Sequence, residues 1–277
     1  MLNAFKKLKL WQRIIVCIFL AVQISFYVLY LATVINQHIA YTMIVLCFVF
    51  ALIIFIFDKQ QRSLSALLLC IGLFITCIAD IFMGFLNMFE VGISVFSIVQ
   101  IVYAVRIHSD ARNRQKTIRA YNLPLLPKAV KISLIVRAAA IVLLTVLAVA
   151  FFWGNPIFTQ NVYLWLIAIF YIVNSVVNLV FASLAFNRNP LFSLGIGLLL
   201  ICDIFIGINF FGWIPQVGYL AAVNIWWIFY LLSQPLMALS VFAKSQSKLG
   251  VRSICRSGHW SHEIKNSADD QWSPLQF

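Results

Sequence analysis

The chain has 277 residues, of which 63% are hydrophobic and only 10% are charged, and its formal net charge is +12. Its mean hydropathy of +0.98 is too high for a soluble domain, so the composition predicts an integral membrane protein. Long runs that are apolar on every side exclude a transmembrane barrel, whose strands would alternate apolar and polar residues.

Apolar segments of the length that crosses a bilayer follow one another along the chain, about 20 residues each at 1.5 Å per residue. We place eight spans at residues 14–35, 40–57, 64–86, 91–105, 130–152, 162–186, 191–211 and 219–242. The sequence therefore predicts an all-α, polytopic membrane protein with a transmembrane domain at 14–244. A basic N-terminus at 1–13 precedes this domain, and a polar tail at 245–277, which we expect to be disordered, follows it.

Positive charge is distributed unevenly across these spans. All 20 Lys and Arg residues are assigned to one side of the membrane, in the N-terminus, the second loop, the fourth loop with its flanks (Arg106 to Arg137), the sixth loop and the tail. The positive-inside rule then places both termini in the cytoplasm, with the spans in the cell membrane. Because the charges flank helices and suit attraction to anionic lipid, they do not indicate a nucleic-acid partner.

Spans three and seven share a motif. When Asp80 is laid on Asp203, both helices read Asp-Ile-Phe-x-Gly, and Gly72 matches Gly195. Four helices separate the copies, so both run in the same direction, which predicts two parallel four-helix repeats at about 14–105 and 130–243, joined by a basic cytoplasmic linker at 106–129. Chance similarity between two apolar helices is the alternative.

Asp80 and Asp203 are the acidic or basic residues that we place well inside the spans. An ionisable residue at bilayer depth costs at least about 2.5 kcal/mol, so it usually faces the bundle interior and marks function. Gly72, Thr76, Asp80 and Gly84 recur every four positions and predict one face that allows close helix approach. One protonated and one ionised carboxyl group would make a general acid and a general base. The alternative is that each Asp is a protonated hydrogen-bond donor that only holds helices together.

Other polar residues are predicted to complete the cavity and bind substrate. They are Gln100 and Tyr103 on span four, Asn174 and Asn178 on span six, and Tyr230 and Gln234 on span eight. Interhelical hydrogen bonding is the alternative role for each of them. The sequence contains no Ser nucleophile elbow, Walker loop or zinc-protease helix, so those chemistries are not indicated.

The two Asp motifs resemble those of the YhhN/TMEM86 family of membrane proteins, which includes lysoplasmalogenases. Ala79-Asp80 followed by Phe82 is similar to the first Asp motif of the family. Cys202-Asp203 is similar to the second motif, which is usually Ser-Asp.

Spans four and eight extend the resemblance, which covers roughly residues 10 to 243. Phe96, Gln100 and Tyr103 resemble a Phe, His, Tyr pattern with Gln100 in the place of the His, and Tyr230 with Gln234 resembles the Tyr and Gln of the last span. A Lys-Pro pair expected before span two is absent, and His38-Ile39-Ala40 occupies that neighbourhood.

The resemblance implies a hydrolase that cleaves the vinyl ether bond of a lysoplasmalogen, with Asp80 and Asp203 as catalytic residues. Its substrate is a lysophospholipid drawn from the membrane lipids, and it requires no metal or organic cofactor. The alternatives are a non-catalytic multi-pass membrane protein, or a lipid or ion transporter that uses the Asp pair for binding or proton relay. No proline interrupts the helices around the two Asp, which favours the enzyme over the transporter.

Overall fold

The computed structural model describes residues 8–32, 37–119, 127–152, 162–184, 189–210 and 219–243. Eight α-helices and no strands occur in these ranges, which confirms the predicted all-α fold. The helices are α1 (Leu10–Ala32), α2 (Gln37–Phe57), α3 (Leu64–Asp80), α4 (Phe89–Arg119), α5 (Pro127–Phe152), α6 (Val162–Leu184), α7 (Pro190–Phe210) and α8 (Tyr219–Leu239). The predicted tail at 245–277 lies outside the described residues.

The helices have the length and surface of membrane-spanning elements. Six of them, α1 to α6, are long and apolar enough to cross a bilayer, and α7 and α8 contain shorter apolar stretches. Large apolar side chains cover the outer surface, for example Ile14, Ile24 and Val142, which are 50%, 62% and 63% exposed. Since water would penalise such a surface, the described helices form the bundle of a helical membrane protein.

Helix α4 continues well beyond the predicted end of its span at residue 105. It extends to Arg119 as one helix of 31 residues, and α5 begins at Pro127. Much of the predicted linker at 106–129 is therefore helical. Hydropathy locates the edge of the hydrocarbon, whereas charged residues with good helix propensity can prolong a helix into water.

The helices pack in a regular order. In the first half α1 contacts α2, α2 contacts α3 and α3 contacts α4; in the second half α5 contacts α6, α6 contacts α7 and α7 contacts α8. The halves join where α4 packs on α6 and where α8 packs on α2, and α8 also reaches α3. The inner sides of α3, α4, α6, α7 and α8 therefore surround a common interior.

Helix α3 changes its winding directly after Asp80. The next residues, Ile81–Phe85, form a π-helical turn in which Leu86 N donates to Ile81 O at 3.1 Å. Asn87 then adopts a left-handed conformation with φ 52°, which Asn tolerates better than most residues, and the chain turns towards α4. This wider turn changes the direction of the residues after it.

The predicted four-residue face of α3 does not persist through this turn. Gly72 packs beneath the Tyr103 ring of α4, whereas Gly84 packs against the Tyr41 hydroxyl of α2. The prediction of a single face from Gly72 to Gly84 was wrong, because at about 100° per residue a spacing of four drifts by about 120° over twelve residues, and the π-turn changes the direction of Gly84 further. Close helix approach at a glycine is nevertheless present both before the turn, at Gly72, and within it, at Gly84.

Asp58 joins the start of α1 to the end of α2. This buried carboxylate accepts from Lys9 Nζ at 3.3 Å, from Gln12 Nε2 at 2.5 Å and from the backbone N of Gln60 at 3.1 Å. Three donors from both sides of the helix pair satisfy its oxygens. The contact fixes where α1 begins relative to the end of α2.

The close contact at Gly72 predicts a large difference between two glycines. A Cβ at Gly72 would overlap the buried Tyr103 ring, whereas a Cβ at Gly197 would meet only Leu179 Cδ1 at 3.5 Å. We expect Gly72→Ala to destabilise the protein by about 1–3 kcal/mol and Gly197→Ala to be neutral or stabilising, since both gain helix propensity. Thermal denaturation of purified protein in detergent measures this; equal effects would contradict the packing described.

Candidate functional site

Each of the two predicted catalytic carboxyl groups is held by its own tyrosine. The Tyr230 hydroxyl on α8 donates to Asp80 Oδ2 at 2.6 Å, and the Tyr171 hydroxyl on α6 donates to Asp203 Oδ2 at 2.7 Å. The two carboxyl groups, both among the described residues, form no hydrogen bond with each other. Burial of a carboxyl group requires a polar partner, and a different helix supplies that partner in each case.

The two Asp–Tyr pairs lie around shared neighbours in the bundle interior. The Phe96 ring on α4 contacts both tyrosines edge-on, with 6.4 Å between its centroid and the centroid of either ring. The buried Cys202, which directly precedes Asp203 on α7, lies near both carboxyl groups. The sequence prediction that Asp80 and Asp203 face the same interior therefore agrees with their surroundings.

The two carboxyl groups differ in access. Asp80 is buried, with 5% of its surface exposed, whereas Asp203 is only partly buried. Asp203 is therefore the more accessible of the two carboxyl groups.

A chain of hydrogen bonds runs from α5 through α6 to α4. Arg137 Nη1 donates to Asn174 Oδ1 at 2.6 Å and Arg137 Nη2 donates to Asn178 Oδ1 at 2.7 Å. Asn178 Nδ2 in turn donates to Gln100 Oε1 at 2.9 Å and to the backbone O of Gln100 at 2.8 Å. Three of the predicted binding residues, Gln100, Asn174 and Asn178, are thus brought together.

Gln100 lies between this chain and Asp203. Its side chain is fully buried, and its amide nitrogen Nε2 has no hydrogen-bond partner among the described residues. The Tyr171 hydroxyl that binds Asp203 is a neighbour of the same amide. A buried donor without an acceptor is costly, and the nearby Tyr171 oxygen can also accept from this amide, so a small shift, a water or a bound molecule would complete the hydrogen bonds of Gln100.

Two buried arginines correct the prediction that Asp80 and Asp203 are the ionisable residues well inside the spans. Arg137 is 7% exposed and lies within the membrane-spanning part of α5, and Arg106 is 2% exposed near the end of that part of α4. Arg106 donates to Ser240 Oγ at 2.9 Å and to Ser65 Oγ at 3.3 Å, and its guanidinium lies 4.0 Å from the centroid of the Phe192 ring. Arg106 thereby joins the ends of α3, α4, α7 and α8.

Tyr103 and Gln234 take less part in the site than predicted. Both are buried, but Tyr103 packs edge-on against Phe192 at 5.5 Å and its hydroxyl has no hydrogen-bond partner among the described residues. Gln234 Nε2 donates to Ser233 Oγ at 3.3 Å, and its Oε1 likewise has no partner there. Neither side chain hydrogen-bonds to a carboxyl group. No group of three His, Cys, Asp or Glu that would hold a metal ion occurs among the residues that the structure describes.

The sequence contained a signal for Tyr171 that we did not use. Tyr171, Asn174 and Asn178 are spaced by three and four residues, so they share one face of α6. Tyrosine counts as apolar in a hydropathy profile, which concealed its hydroxyl among the residues of the span.

Comparisons with known proteins found no relative of this chain. No protein-family model matches it, and neither the curated proteins nor the solved structures contain a match. The resemblance to the YhhN/TMEM86 family stays a prediction that depends on the motifs around Asp80 and Asp203.

The tyrosine contacts predict a measurable loss of stability. Tyr171→Phe and Tyr230→Phe each remove the hydroxyl that donates to a carboxyl group, so we expect each to cost about 1–3 kcal/mol of unfolding free energy. Tyr163 is the matched control, because it is 57% exposed and its hydroxyl is 2.8 Å from the Oγ of the exposed Ser94. Tyr163→Phe should change stability by less than about 0.5 kcal/mol in the same denaturation assay. Equal losses in all three variants would mean that the Asp–Tyr contacts do not form.

Proposed function

We propose that this protein is a membrane-embedded hydrolase of the lysoplasmalogenase type, in which Asp80 and Asp203 cleave a vinyl ether by acid/base chemistry. The observation that supports it best is the presence of two tyrosine-bound carboxyl groups around Phe96 and Cys202 inside a bundle of apolar helices. A structural role needs only one hydrogen-bonded Asp at a helix contact. Two of them beside the same neighbours supply an acid and a base for one substrate.

The reaction needs a proton donor, water and a proton acceptor. A protonated carboxyl group donates its proton to the vinyl ether carbon distant from oxygen, which leaves an oxocarbenium ion. Water adds to the cationic carbon and gives its proton to a carboxylate, as in glycoside hydrolysis. The hemiacetal then breaks its bond to the glycerol oxygen, which takes a proton from one carboxyl group while the hemiacetal hydroxyl gives its proton to the other, and an aldehyde and a glycerophospho alcohol are released. No external oxidant or reductant enters this balance.

The tyrosines suit a supporting part in this chemistry. A hydroxyl that donates to one carboxyl oxygen leaves the other oxygen of Asp80 or Asp203 for substrate or water. It also fixes the side-chain rotation, which matters because a displacement of about 1 Å can cost a hundredfold in rate. The partly exposed Asp203 is the carboxyl group better placed to meet water.

The proposal includes two parallel four-helix repeats, and the packing order supports it. Each contact of the first half has a counterpart in the second, and the contact of α4 with α6 corresponds to that of α8 with α2. The partners of the two Asp break this correspondence, because Tyr230 comes from α8 whereas Tyr171 comes from α6. Equivalent backbone positions thus receive different surroundings, as two different catalytic roles require.

A transporter is the second candidate, and the π-turn favours it. Broken helices beside ionisable residues are typical of transport sites, and Ile81–Phe85 interrupts the α-helical pattern directly after Asp80. Pro235 also lies inside α8, five residues after Tyr230. These features weaken the sequence argument against transport. In a transporter the Asp pair would bind a cation or relay protons, and purified protein would release no aldehyde.

The proposed topology predicts the location of two reporters. A reporter fused after Lys244 should score as cytoplasmic, and one inserted near Asn155 should score as external, because the Lys and Arg residues then lie inside. Alkaline phosphatase and fluorescent-protein fusions in whole cells measure this. The reverse pair of results would overturn the proposed orientation.

The two carboxyl groups should be jointly required for hydrolysis. Asp80→Asn and Asp203→Asn nearly preserve shape but cannot cycle a proton, so each should lower aldehyde release from a lysoplasmenyl lipid by roughly a hundredfold or more. The double variant should be little worse than either single variant, since the groups act as a unit. Glu90→Gln is the control, because Glu90 is an exposed acid at the start of α4. Activity that survives in both single variants would refute the assignment.

A further inference from the structure

Arg137 is a buried cation whose hydrogen-bond partners among the described residues are all neutral. Its guanidinium donates to Ser133 Oγ at 3.3 Å, to Asn174 Oδ1 at 2.6 Å and to Asn178 Oδ1 at 2.7 Å. No carboxylate lies within ion-pair distance of it among the described residues, whose one salt bridge joins Lys9 and Asp58. A cation inside a membrane-spanning helix is expensive without an opposite charge, so an anion bound beside Arg137 would be strongly favoured.

The donors around Asn178 are not all used. A guanidinium carries five N–H groups, and the hydrogen bonds of Arg137, which include one to the backbone O of Asn174, use at most four of them. Gln100 Nε2, fully buried beside Asn178, has no acceptor among the described residues. Spare donors on a cation and on a neighbouring amide suit a ligand rich in acceptor oxygens, of which phosphate is the typical case.

The separation of Arg137 and Asp203, measured along α6, suits a single ligand that contacts both residues. Tyr171, which binds Asp203, and Asn178, which binds Arg137, are seven residues apart on the same face of α6. Seven residues correspond to about 10 Å along a helix. A glycerophosphate group, with one hydrogen bond at either end, covers a distance of this order.

We propose that Arg137, held in place by Asn174 and Asn178, binds the phosphate of a lysophospholipid whose other end lies at Asp203. The proposal rests on the proposed function for the direction of the lipid and for the identity of the bond at the carboxyl groups. Asn174 and Asn178 orient the guanidinium fork, and the Gln100 amide donates to an oxygen of the same glycerophosphate group. Phosphate recognition therefore determines which ether lipids reach the carboxyl groups.

The test compares two ligands that cannot be cleaved. Purified protein in detergent is titrated with a saturated alkyl-ether lysophospholipid and with the matching alkyl glycerol, which has the same chain and no phosphate. We expect the wild-type protein to bind the phosphate ligand at least about tenfold more tightly, because charge-assisted bonds to phosphate are strong. Arg137→Gln should remove most of this preference, and Arg137→Lys, which keeps the charge but not the fork, should keep part of it.

The matched control is Arg62→Gln, which removes an exposed cation that donates to Ile56 O. It should leave the preference for the phosphate ligand unchanged. An equal affinity of the wild-type protein for both ligands, or an unchanged preference in Arg137→Gln, would overturn the proposal. If Arg137→Gln does not fold, the wild-type comparison and Arg137→Lys still decide between the outcomes.

Two further measurements distinguish this proposal from a free phosphate site and from the hydrolase proposal. Inorganic phosphate alone should not reproduce the binding measured with the lipid. If inorganic phosphate binds in an Arg137-dependent way and the lipid does not bind, the site is one for free phosphate and not for a lipid. Aldehyde release from a lysoplasmenyl lipid is assayed in parallel. Absence of aldehyde with Arg137-dependent lipid binding would refute the hydrolase and leave the phosphate site supported.

Discussion

Hydrocarbon offers no hydrogen bonds, so polar groups inside a bilayer depend on the protein for their partners. This constraint accounts for the contacts between the helices, because the polar pairs link the same helices that pack together. The pairs are Asp80 with Tyr230 for α3 and α8, Asp203 with Tyr171 for α6 and α7, Gln100 with Asn178 for α4 and α6, and Arg137 with Asn174 for α5 and α6. If the helices rotated about their axes, these pairs would separate, and the cost of the unpaired groups would oppose the change.

Apolar packing has a different part in this bundle from the one it has in water. Lipid tails are as apolar as Leu, so apolar side chains gain little from leaving them, and association depends on close fit. Glycines provide that fit at three places, where Gly72 lies under Tyr103, Gly84 against Tyr41 and Gly195 against Met237. Tyr103 and Tyr41 are thus positioned by the absence of a side chain opposite them. The polar pairs determine which helices pack together, and the glycines set the distance between those helices.

The existence and order of the eight helices were readable from the sequence, because hydropathy reports directly the length of chain that avoids water. The interior location of Asp80 could also be predicted, since an ionisable residue at that depth in the bilayer seldom faces lipid. The tyrosine partner of each Asp could not be predicted, because the choice of partner depends on helix rotation and on the π-turn, and no local sequence pattern encodes either. Arg137 was missed because a cation near a span is ordinarily a topology signal. Its burial results from Asn174 and Asn178, which lie far from it in sequence.

The π-turn after Asp80 affects which neighbouring helices the span contacts. An α-helix advances about 100° per residue, and a π-turn holds more residues per turn, so it changes the direction of the side chains within it. Before the turn, Gly72 packs against α4 and Asp80 binds α8; within the turn, Gly84 meets α2. In a straight α-helix Asp80 and Gly84, which are four residues apart, would point within about 40° of each other, whereas here they meet different helices. One span thereby contacts three neighbouring helices, as a carboxyl group enclosed on several sides requires.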